Sequence, residues 1–193
     1  MANVVTDIIS SVATLYYSAL ATALPADTLA VGGAWPSGWL PVGYTKEPIK
    51  ANYEYDVLDV MIQESLAPVR RRKTKENLTI ETVLAELSPT LMNLQMEGVV
   101  STQASGPGKE EITVGQTPVL TERQWGFEIN YIDEDGANFP FRWFIWKATG
   151  SAGGEFEHGR EDYIGTPLTL AAVADMTKAA GARLAKVQKI TEP

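Results

Sequence analysis

The stretch 124–147, QWGFEINYIDEDGANFPFRWFIWK, restricts the fold more than any other part of this chain. Its first half alternates, so Trp125, Phe127, Ile129 and Tyr131 share one side of an extended backbone. DEDGAN is a turn signal, and FPFRWFIWK brings the chain back as the second strand of a hairpin. The returning strand is apolar on both faces, with Phe139, Phe141, Trp143 and Ile145 on one and Phe144 and Trp146 on the other. A strand of that kind is either central in a sandwich or covered by a partner.

The rest of the chain is also mostly of period two. ATLYYSAL (13–20) reads as a first strand, and GWLPVGYT (38–45) as a short one that Pro41 places at an edge. Between them lies a loop rich in Gly and Pro that holds Trp35 and Trp39. From Ile49, the residues Ile49, Ala51, Tyr53, Tyr55 and Val57 share a face, and Leu58, Val60 and Ile62 take the other. The adjacent pair at 57–58 suits a bulge, or a long strand passing from one environment to another. NLTIETVLAE alternates again, with Leu78, Ile80 and Leu84 on one side. SPTLMNLQMEG (88–98) is the helix: Ser88 caps it, Pro89 suits its first turn and Gly98 ends it. Residues 99–116 then form a hairpin with its tip at Ser105–Gly108. The Ala-rich C-terminal part has helical propensity. Pro167, Gly181 and its imperfect alternation favour two strands instead, near 165–174 and 182–190.

Composition removes several classes of function. The 193 residues suffice for one domain, and no cysteine is present for a disulfide or thiolate site. No apolar run approaches the roughly 20 residues that cross a bilayer. The first residues lack the basic start of a secretory signal, so the expectation is a protein that is neither exported nor membrane-bound. A formal charge of −8 argues against a general nucleic-acid binder.

Against that acidity, Arg70, Arg71, Arg72, Lys73 and Lys75 place five cations in six positions. One reading is a solvated loop over about 65–75. The other is an intersubunit contact, since Arg presents forked donors to carboxylates.

Catalytic signals are missing. His158 stands in a glycine-flanked acidic loop with no nucleophile near it. Asp133, Glu134 and Asp135 lack calcium-loop spacing and read as a turn. Glycines 150, 153 and 154 form no phosphate-binding motif. No enzyme, metal site or cofactor is expected.

The order of these features resembles the major tail (tail tube) proteins of long-tailed bacteriophages, siphophage types in particular. The similarity spans about residues 12–190 and is most specific in W-x-x-V-G-Y-T at 39–45 and A-D-x-T-K-x-A-G-A-R-L at 174–184. It implies a mainly β fold, a sandwich or barrel-like pair of packed sheets with one short flanking helix and extended loops. Residues 1–11 would be an N-terminal arm and 12–193 a single domain. It further implies homohexameric rings stacked helically into a tube that DNA traverses without specific binding. Terminator, tape-measure and distal tail proteins would be its other partners. The tail would be assembled in the host cytoplasm and reside in the virion. On that resemblance the basic segment reaches a neighbouring subunit or ring, with Asp133, Glu134, Asp135 or the 155–162 acidic loop as candidate acceptors and Trp143 and Trp146 in covered interfaces. Two alternatives remain: a head–tail connector or terminator of the same fold, and a carbohydrate-binding sandwich using Trp35 and Trp39.

Overall fold

The computed structural model describes residues 13–64, 66–86, 88–97, 99–103, 108–115, 119–132, 136–150 and 165–191. Its strands are β1 (Ala13–Ser18), β2 (Leu40–Pro41), β3 (Lys50–Val60), β4 (Arg70–Leu84), β5 (Val99–Gln103), β6 (Lys109–Thr113), β7 (Arg123–Ile132), β8 (Asn138–Gly150), β9 (Thr166–Ala172) and β10 (Ala185–Lys189). The helix α1 spans Pro89–Met96. All pairings are antiparallel. The main sheet runs β2-β1-β7-β8-β9-β4-β3, with β10 also on β8, while β5 and β6 form a separate ribbon.

The sheet curls until its two ends meet. The chain leaving β2 donates from Val42 N to Leu15 O at 2.9 Å, then bridges β4 through Thr45 and Leu84. Lys46 N to Val83 O (2.6 Å) and Ala85 N to Tyr44 O (2.8 Å) complete the seam. Gly43 makes the bend possible with φ +89°, a region that side chains disfavour. One continuous sheet thereby supplies both layers around a core containing Leu15, Ile80, Leu84, Trp125, Phe127, Ile145 and Leu170.

α1 closes one side of this core through Leu91 and Leu94. The Ser88 side chain accepts from Leu91 N, and Pro89 sits where a missing N–H costs nothing. The helix ends on Glu97 in the left-handed region. Glu97 also takes a hydrogen bond from Arg123 Nη1 at 2.8 Å, and the pair is largely buried. Gly98 lies outside the described residues.

The double-sided strand is explained within the chain. β8 is central, and its second face is covered by the 23–39 loop, where Trp35, Trp39 and Phe144 make a second core. Tyr16 stacks on Trp35 at 4.1 Å, and Trp39 meets Trp35 edge-on at 4.9 Å. Position 126 has to be glycine for the fit, because a Cβ there would stand 2.7 Å from the Trp35 ring. Burial pushes the Tyr16 phenol up, with Glu128 adding to the shift and Arg142 opposing it.

A charged staple holds the loop down. Glu128 and Arg142 face each other across β7 and β8, at 4% and 0% exposure. Arg142 Nε donates to Glu128 Oε2 at 2.7 Å, Nη1 to Ala26 O at 3.0 Å and Nη2 to Leu29 O at 2.6 Å. Gly32 N donates to the other Glu128 oxygen at 2.8 Å. Every charge in the pair is thus matched, the condition under which a buried ion pair is tolerated.

At the C-terminus the two-strand reading holds, as β9 and β10. Their connector is built on Asp175, whose Oδ1 accepts from Thr177 N (3.0 Å) and Thr177 Oγ1 (2.8 Å). Those bonds hold the Asp175 carboxyl below the usual aspartate range. A depressed carboxylate stabilises the fold above the unfolded pKa of about 3.9, and that contribution is lost as pH falls through the lower folded value. Asp175→Ala is therefore expected to lower the melting temperature at pH 7, with the gap to wild type closing as pH falls below the unfolded aspartate value. A gap independent of pH would remove the carboxylate from the explanation.

Candidate assembly surface

β3 and β4 pair over their length, yet β4 meets β9 only from Thr79 to Leu84. Below Thr79 the two strands continue as a ribbon with no third strand among the described residues, forming an arm. All of β3 is exposed, as is β4 from Arg70 to Glu76. The expectation of a basic loop over 65–75 is corrected here: Arg70, Arg71, Arg72, Lys73 and Lys75 lie within β4, and the loop is confined to the tip between Val60 and Arg70. The strand persists despite its charge because β3 supplies a full antiparallel ladder.

The bulge expected near 57–58 appears as a register shift between Asp56 and Val57, with Thr74 the extra residue on β4. It divides the cations by face. Arg71 and Lys73 lie on the side of Tyr53 and Tyr55, opposite Asp59 and Val57, while Arg70, Arg72 and Lys75 lie on the other, opposite Val60, Leu58 and Asp56.

On the tyrosine side the charges are used locally. Arg71 Nε sits 3.0 Å from Asp59 Oδ1. Lys73 Nζ donates to Tyr53 Oη at 2.8 Å and Glu76 Oε1 at 3.1 Å, and lies 4.5 Å from the Tyr55 ring centroid. The Tyr53 bond, then Glu76, raises the Lys73 pKa above that of ordinary lysine. On the far side, Arg70, Arg72 and Lys75 have no ion pair among the described residues.

The arm is also apolar. Tyr53, Tyr55, Val57, Leu58 and Val60 are 39–53% exposed, and at the tip Met61, Ile62, Leu66 and Val69 reach 47–104%. A contiguous exposed run of this size marks a surface that is covered in use. Trp143 and Trp146, expected at interfaces, find partners in their own chain. Trp143 stacks on Phe127 at 5.4 Å, and Trp146 Nε1 donates to Ala182 O at 2.8 Å with Lys178 over its ring. Asp133, Glu134, Asp135 and the 155–162 loop with His158 lie outside the described residues.

A family model described as phage tail tube protein matches residues 1–187. This chain belongs to that family. It is a structural tail component, and the family is not enzymatic. A search of curated proteins gave no match. In this tail tube protein the two segments carrying the family resemblance are structural joints: Val42, Gly43 and Thr45 make the seam while Trp39 packs in the second core, and 174–184 is the β9–β10 connector. The carbohydrate reading is corrected, since Trp35 and Trp39 are 8% and 6% exposed and offer no ring face to a sugar. No helix among the described residues is long and apolar enough to cross a membrane, and they contain no metal-ligating cluster.

Proposed function

We propose that this tail tube protein assembles into hexameric rings that stack helically into the tube of a siphophage-type tail, and that genomic DNA leaves through the bore. The observation that carries the reading is the arm: an apolar, cationic ribbon with no covering surface among the described residues. A second copy supplies acidic surface readily, because the subunit has 24 Asp and Glu against 16 Lys and Arg. That excess, repeated around a ring, repels phosphate, so DNA passes without adhering. Terminator, tape-measure and distal tail proteins would be its other partners, with assembly in the host cytoplasm. Negative-stain microscopy of the purified protein tests this directly. Long tubes with six-fold end views are the expected result. Single rings that never lengthen would favour the terminator alternative, and a monomer at every concentration and salt would overturn self-assembly.

A further inference from the structure

The sheet forks at the root of the arm. β9 joins β4 over Thr79–Leu84 and β8 only over Ala148–Gly150; beyond those pairings β4 continues with β3, and β8 with β10. Between the branches opens a groove of about 640 Å³. Tyr53, Glu76 and Leu78 of one branch and Trp143, Arg183 and Leu184 of the other lie among its lining. The lining is continuous with the main core, since Trp143 and Leu184 pack against it.

We propose that this fork is the receptacle for the arm tip of a second copy. The inference rests on the self-assembly reading above and adds to it the site that receives the arm. The tip carries Met61, Ile62, Leu66 and Val69, all exposed, and the groove offers apolar surface of matching character. Charge is balanced on both sides: Glu64 and Arg70 flank the tip, Glu76 and Arg183 the groove. The tip stands away from its own groove, because Val60 at the end of β3 is about 23 Å along the strand from Tyr53. Knob and hole therefore sit at opposite ends of one arm. Such a contact is heterologous, and where its rotation closes no ring it propagates as an open polymer.

The cysteine-free sequence permits a clean test. Leu66→Cys combined with Ala180→Cys in one chain, oxidised after assembly, is expected to give a ladder of covalently linked copies on a non-reducing gel. The two single variants mixed are expected to stop at dimers. Ala180 is exposed and lines the groove, so Ala180→Trp is expected to leave the melting temperature unchanged and raise the critical concentration for tubes roughly 10-fold or more. Tubes from the double-cysteine chain with no 66–180 cross-link would overturn the receptacle, as would Ala180→Trp tubes at the wild-type critical concentration. In both cases wild-type tubes would leave the self-assembly reading standing. A wild-type chain that forms no tubes would overturn both.

Discussion

Arg142→Ala is expected to destabilise the subunit by about 3–5 kcal/mol, because it leaves the Glu128 carboxylate buried without its partner. The loss extends beyond one bond. The guanidinium also holds the carbonyls of Ala26 and Leu29, so the loop carrying Trp35 over Gly126 loses two of its anchors. For a chain of this length the melting temperature should fall by roughly 10 °C or more. Glu128→Ala should cost a similar amount by stranding the cation. Replacing both residues with apolar ones of similar volume should recover much of the loss, as buried pairs often permit. If either single variant melts within about 2 °C of wild type, the loop is held by its aromatic packing and the staple is incidental.

The second large effect is on assembly. Reversing Arg70 and Arg72 to Glu should leave the melting temperature nearly unchanged, since both side chains are exposed and have no ion pair among the described residues. Tube formation should be lost, because like charge then meets an acidic neighbour. Lys73→Glu provides the contrast. That cation is bonded to Tyr53 and Glu76 in its own arm, so its reversal perturbs the ribbon before it perturbs any contact. Tubes from the Arg70/Arg72 variant at wild-type yield and salt resistance would separate the basic face from assembly altogether.

Much of this architecture was legible because it follows from local chemistry. Ser88 and Pro89 mark the start of α1 by the donors they satisfy or omit, and the N-cap forms as the residue types dictate. The apolar pair at 57–58 signalled the register shift within the arm. Alternation placed Phe144 and Trp146 opposite Trp143 and Ile145, and left open what covered the second face. It could not show that residues 23–39 would do so, since a Gly- and Pro-rich loop carries no period that names its docking site. The staple left a fainter signal. A turn centred on DEDGAN sets 128 opposite 142, and a Glu facing an Arg in the apolar middle of two strands is a candidate pair. The basic cluster misled because density of charge resembles a loop. What made it a strand was a partner beginning at Lys50, information that no window around Arg70 contains.

The ribbon has a thermodynamic consequence for growth. Two strands without a third are marginal in water, so the arm can fray at a free energy well below that of global unfolding. Order in this segment then belongs to the collective rather than to the individual molecule. Each newcomer surrenders conformational freedom on joining, and that toll weakens stray pairings at low concentration while growth at a formed end proceeds against it.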